Sequence, residues 1–160
     1  MAPDLNARWQ DQNIVKKDGR WSVDGRPVPS LAPTFQESPS NIPNHYCLGL
    51  MVTAPPNSAT PPHTHGGATV MATMVKGQML NQMVCPNHDP DSQGSGAKIY
   101  GPGDSWYEPP GCHHVRSETV GDEEALFHAL FIVEKEKVDK DGLSSLVVID
   151  ADVEEAKQAK

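Results

Sequence analysis

The stretch Gly103-Asp104-Ser105-Trp106-Tyr107-Glu108-Pro109-Pro110-Gly111-Cys112-His113-His114 is dense in conformationally constrained residues. Ser105–Glu108 reads as a short strand, and the prolines and glycine behind it fix a tight turn. A histidine leaving such a turn is held in one place, which is what a metal site needs to limit reorganisation on binding. Upstream lies Pro61-Pro62-His63-Thr64-His65. Side chains two apart on a strand point to one face, so His63 and His65 can present both imidazoles to a single ion. Neutral imidazole suits Fe, Mn, Ni, Cu and Zn alike.

Outward from these stretches the chain reads as short strands broken by turns. Tyr46–Thr53 is apolar and stopped by Pro55-Pro56, and Ala68–Val75 and Gln78–Val84 flank Lys76-Gly77, which reads as a tight hairpin turn. Further strands are expected at Trp21–Val23, Lys98–Tyr100, Ser105–Glu108, Leu126–Glu134 and Leu143–Val148, with residues 86–96 a polar surface loop. Only Ala151–Lys160 has a helical composition, capped by Asp150 or Asp152. Fifteen prolines and thirteen glycines in 160 residues break any long helical pattern. The pattern predicts one all-β domain, a sandwich or barrel, with an arm over residues 1–44, a barrel over 45–150 and a helical tail over 151–160.

Thirteen basic against twenty-one acidic residues leave a net charge of −8, unsuited to a nucleic-acid backbone. No apolar run is long enough to span a membrane, and no signal peptide is visible at the N-terminus. Cys47, Cys85 and Cys112 form no CxxC pair and read as free thiols in a reducing, cytoplasmic setting.

The two histidine stretches together resemble the cupin family, whose motifs run G-x5-H-x-H-x(3,4)-E-x6-G and G-x5-P-x-G-x2-H-x3-N. The second is matched by Gly103, Pro109, Gly111 and His114, with Glu118 in place of the asparagine. The first is matched by His63, His65 and Gly77, while Asn57 stands at the leading glycine. The motif glutamate is missing: Thr69 and Val70 occupy its two allowed positions. The resemblance covers about Leu48 to Val133 and implies a small jelly-roll β-barrel holding one divalent metal ion, with iron(II) favoured over Zn, Ni, Mn or Cu. His63, His65 and His114 would be the ligands. The gap at Val70 leaves two outcomes, either a neutral three-histidine face or a replacement ligand. Gln82 is the candidate replacement, on a strand expected to pair with the one carrying Val70.

His113 neighbours His114 on one strand, so it faces the other way and is expected at the rim. His128 alternates with Leu126, Leu130 and Ile132; if that face lines the barrel, it is the acid or base of the site, and otherwise a core histidine. His45 is a lesser pocket candidate, and His88 falls in the polar loop. The methionines Met51, Met71, Met74, Met79 and Met83 are core packing by default, but Val70, Met71 and Trp106 are placed to line a substrate pocket. Glu108 is expected at the surface, and Glu118 as a hydrogen-bond acceptor at the barrel end.

The leading expectation is an enzyme acting on a small enolate, diketone, phenolic or carboxylate through one metal ion. The missing glutamate is shared with three-histidine dioxygenases, which puts iron(II) oxygenation first. The alternatives are redox-neutral lyase, isomerase, dehydratase or cyclase chemistry at the same ion, and a non-catalytic ligand-binding cupin. The resemblance also implies a homodimer, with a small molecule rather than nucleic acid or membrane as its other partner.

Overall fold

The computed structural model describes residues 2–86 and 93–160; His88 lies outside the described residues. The N-terminal segment forms a hairpin of β1 (Ile14–Lys17) and β2 (Arg20–Val23), followed by β3 (Ser30–Glu37) and β4 (His45–Ala54). Next come the short β5 (Ala59–Thr60) and β6 (His63–Thr64), then β7 (Thr69–Lys76) and β8 (Gln78–Val84). The second half runs through β9 (Lys98–Tyr100), β10 (Ser105–Glu108), β11 (His113–Val120) and β12 (Ala125–Glu134). The chain closes with α1 (Lys135–Asp141), a 3₁₀ turn at Leu143–Leu146, β13 (Val148–Ile149) and α2 (Asp150–Gln158).

Two sheets face each other across the core in an open jelly roll. One has the order β10-β7-β12-β4-β3; the other has β13-β6-β11-β8-β9, with β5 paired to β11. Inward residues alternate along each strand, as a two-residue period requires. Leu48, Leu50 and Val52 from β4, Val70, Ala72 and Met74 from β7, and Phe127, Ala129 and Phe131 from β12 make up most of the buried core.

Several local expectations are corrected. Lys76-Gly77 is not a hairpin turn. β7 and β8 lie in different sheets, and Gly77 is the corner at which the chain changes sheet. Its φ is +68°, and a Cβ there would sit 2.6 Å from the Glu124 carbonyl oxygen, so geometry and space both demand glycine. β11 is an eight-residue strand whose hydrophilic sequence concealed it. Leu143–Val148 is mostly a 3₁₀ turn, and Lys135–Asp141 is helical although no helix was expected there.

The antiparallel pairing of β8 with β11 places His113 opposite Val84. Continuing that register brings Cys85 and Cys112 together, and they form a disulfide across 27 residues. This corrects the free-thiol reading for both; Cys47 alone is free. It also removes the thiol argument for a reducing compartment. Among the described residues, no helix is long and apolar enough to cross a membrane.

Replacing Gly77 by alanine forces a strained backbone against Glu124 and Ala125. The Gly77→Ala variant is expected to lose about 1–3 kcal/mol of unfolding free energy in urea titration. A loss below about 0.5 kcal/mol would contradict the corner geometry.

Candidate metal centre

His63 lies directly opposite His114 in the pairing of β6 with β11, and His65 follows two residues on, so all three rings enter one space between the sheets. Their ligand-capable nitrogens lie within 4.8 Å of one another, near the roughly 4.2 Å span of two nitrogens on opposite sides of one ion. A β-bulge between His114 and Arg116 shifts the alternation along β11. Because of it, both His114 and Ser117, three positions apart, line the cavity, while Arg116 and Glu118 look away from it.

Each imidazole is oriented by a second contact. His63 Nδ1–H donates to the Pro61 carbonyl at 2.8 Å, and His65 Nδ1–H to the Leu146 carbonyl at 2.7 Å. A carbonyl only accepts, so these bonds put the proton on Nδ1 and turn Nε2 of both rings toward the centre. His114 Nε2 meets Asn81 Oδ1 at 2.7 Å and its Nδ1 faces the centre.

Glu108, only 4% exposed, packs against this three-histidine group, where the sequence had suggested a surface carboxylate. Its Oε1 accepts from Trp106 Nε1 at 2.8 Å and lies 3.2 Å from His114 Nδ1. Its Oε2 lies 2.6 Å from His65 Nε2. That last pair is close but misaligned: both atoms are fully buried and neither makes a directed hydrogen bond. Two buried ligand-capable atoms that converge without a directed hydrogen bond are what a shared cation would satisfy. In the pairing of β10 with β7, Glu108 stands directly across from Val70, where the motif glutamate is missing. A carboxylate thus stands one strand away from the position at which the motif glutamate is missing.

Electrostatics follow from this packing. Burial and the neighbouring rings of His65 and His114 push His63 well below the usual histidine value. Burial also opposes charge on His65, but Glu108 outweighs it and raises His65. Burial alone would lift Glu108; His114 and His65 reverse that and hold it well below the usual carboxylate range.

The cluster forms the floor of a cavity of about 360 Å³. Val70, Val52, Phe127 and Phe131 wall its depth, and Gly19, Arg20, Trp21 and Asp152 stand at its mouth. Four expected site residues, Gln82, His128, Met71 and Trp106, do not line the cavity. Gln82 is buried on the opposite face of β8, paired with Arg116, and donates to the Gln93 carbonyl at 2.7 Å. Its strand pairs with β11 and β9 rather than with β7, so no register brings it to Val70. His128 is on the outer face of β12, where it meets Thr34 Oγ1 at 2.9 Å and stacks on Phe35. Phe127, Ala129 and Phe131 take the inner face instead. Met71 is 45% exposed on the outer side of β7.

The remaining candidates have structural places. Trp106 packs in the core between Tyr100 and Phe127 and reaches the site only through its bond to Glu108. His113 is at the rim, 2.7 Å from Asp150. His45 donates to the Pro43 carbonyl outside the cavity. Glu118 accepts from Arg116 and Arg26 beneath the N-terminal segment. Glu108 and Asn81 were missed because their roles depend on strand pairing, which spacing along the chain does not encode.

A family model described as Cupin matches residues 36–156. The chain belongs to the cupin family. Among solved structures, this cupin is similar to the Schizosaccharomyces pombe Cnp3 cupin domain over 72% of its own chain and 68% of that one, at 12% identity and a TM-score of 0.52. At that identity the likeness is one of fold. A recombinant oxalate oxidase in complex with glycolate is similar over 66% of this chain, at 21% identity and a TM-score of 0.49. This cupin spans 54% of that oxidase chain. No protein of curated function matches the sequence.

Protonation of the site governs the metal-free protein. His63 stays neutral when folded but takes a proton below pH 6.5 when unfolded, so stability falls as the pH drops from 6.5. Glu108 contributes stability above its unfolded value of 4.5, and this is lost as the pH falls toward its depressed folded value. His65, raised by Glu108, contributes stability below 6.5 that is lost as the pH climbs through its folded value. Chelator-treated protein should therefore lose up to about 1.4 kcal/mol per pH unit on acidification through His63, and His63→Gln should flatten that limb. Stability unchanged from pH 6.5 to 4.5 in metal-free wild type would contradict this electrostatic reading.

Proposed function

We propose that this cupin is a mononuclear iron(II) dioxygenase acting on a small molecule that presents a chelating oxygen pair, such as an enolate or diketone. His63, His65, His114 and Glu108 would hold the ion. The observation that carries the reading is the convergence of three oriented imidazoles at the floor of an apolar cavity, with the buried Glu108 carboxylate against two of them. Mixed imidazole and carboxylate donors suit iron(II), with zinc, nickel, manganese or copper as the alternatives.

When bound, the ion supplies Lewis acidity toward a chelating oxygen pair and, as iron(II), the redox capacity to use dioxygen. The chain supplies the rest. Val70, Phe127 and Phe131 exclude water from the substrate's carbon skeleton. The Pro61 and Leu146 carbonyls fix the tautomers of His63 and His65, while Trp106 holds the Glu108 carboxylate in place. Cleavage of an enolate carbon–carbon bond by dioxygen balances without a further reductant, each oxygen atom ending in one of the two carbonyl products.

Glu108 replaces the earlier ground for oxygenation. A neutral three-histidine face would leave the full +2 charge of the ion, whereas a carboxylate reduces it to +1. Oxygenation instead gains support from the position of His128. With that imidazole outside, the titratable side chains lining the depth of the cavity are those of the cluster itself. A redox-neutral proton transfer would have to use Glu108 as its base, and the underbonded Oε2 makes this the second reading.

Metal content and oxygen uptake separate the two readings. Wild type should carry about one iron per chain, and His63→Ala and His114→Ala should lose it. Glu108→Gln should weaken metal binding about tenfold or more. Turnover of a β-diketone should consume about one dioxygen per molecule cleaved. Turnover under argon, with metal retained in Glu108→Gln, would replace oxygenation by base catalysis. Metal content unaffected by either histidine change would overturn the metal-centred reading.

A further inference from the structure

The mouth of the cavity carries a charge that the metal centre does not use. Arg20 opens β2 just after the Asp18-Gly19 turn, and it lines the same cavity as His63, His65, His114 and Glu108. It is the only cation outside the histidine cluster among the described lining residues. Among the described residues, no salt bridge or hydrogen bond engages its guanidinium, although Asp152 lines the mouth as well. Asp152 accepts from Trp21 Nε1 through Oδ1 at 2.8 Å. At the other end of the cavity, Glu108 is turned onto Trp106, His65 and His114.

The hairpin that presents Arg20 is held at the mouth by contacts to α2. Lys16 pairs with Glu155 at 2.5 Å, and the Trp21–Asp152 bond lies beside it. These bonds fix β1–β2 across the opening, with the exposed Arg20 among the residues that line it. The surroundings would otherwise repel an anion, because α2 carries Asp150, Asp152, Glu154 and Glu155 beside the mouth and the chain has a net charge of −8. An unpaired guanidinium there offsets that field locally, and its planar donor fork matches a carboxylate.

We propose that Arg20 is a carboxylate-binding residue at the cavity mouth. It selects ligands with a chelating head at the floor, an apolar body along the walls and a carboxylate at the far end. This specificity rests on the metal-centred reading above, since the cluster is what would take the head. A cavity of about 360 Å³ suits a molecule of one ring or a short chain between those ends.

A matched pair of probes tests it: benzoylacetone, which is neutral at the ring end, and 4-acetoacetylbenzoate, which carries a carboxylate there. Binding is measured by calorimetry to the zinc-loaded full chain, zinc being redox-inert. Wild type should bind the carboxylated probe about fivefold or more tightly than the neutral one, with the preference shrinking at high salt. Arg20→Gln should abolish the preference while leaving the affinity for benzoylacetone unchanged. Arg20→Lys should retain part of it, and Arg20→Glu should invert it. Equal affinities in wild type, a preference that survives in Arg20→Gln, or binding of neither probe would overturn the proposal. If the carboxylated probe binds equally well without zinc and still depends on Arg20, the carboxylate site stands and the metal-centred reading fails.

Discussion

The site depends on one costly arrangement: the Glu108 carboxylate, almost fully buried and packed against two imidazoles. A charge removed from water needs opposite charge and hydrogen bonds, and these must come from different parts of the fold. Trp106 comes from the same strand, His65 from the approach to β7, and His114 from the opposite sheet. Both sheets must therefore be in register before the carboxylate is accommodated. The Cys85–Cys112 bridge helps by tying the end of β8 to the turn two residues before His114.

Most of the fold was legible because a few residues announce it. His63, His65, His114 and the Gly-Pro turns around them mark the two strand ends that meet at the floor of the cavity. The alternation in β7 and β12 then supplies the walls. What stayed hidden was pairing. Glu108 and Val70 are 38 residues apart in sequence, and only the β10–β7 ladder makes them neighbours. The same blindness displaced Gln82, because two strands adjacent in sequence belong to different sheets, with Gly77 turning the corner between them. His128 failed for another reason. β12 is apolar on both faces, so periodicity alone could not say which one looks inward. The disulfide, too, follows from the register of β8 against β11, and nothing in the cysteine spacing signals it.

The N-terminal segment shows how sequence context can mislead about function. Its prolines and polarity suggested an arm laid over a finished barrel. Instead, β3 completes one sheet, and the β1–β2 hairpin stands at the cavity mouth bonded to α2. The far end of the chain contributes as well. The Leu146 carbonyl fixes the tautomer of His65, and Asp150 holds His113 at the rim. The two ends of the described chain thus frame a site whose candidate metal ligands all come from its middle.

The central claim is that the missing motif carboxylate is supplied from β10. X-ray absorption of the iron-loaded protein, read together with a crystal structure of that form, tests it most directly. Three imidazole nitrogens and one oxygen of Glu108 are expected around the ion. A coordination sphere without the Glu108 carboxylate, its oxygens remaining on Trp106 Nε1 and His65 while the ion sits on the histidines alone, would contradict it.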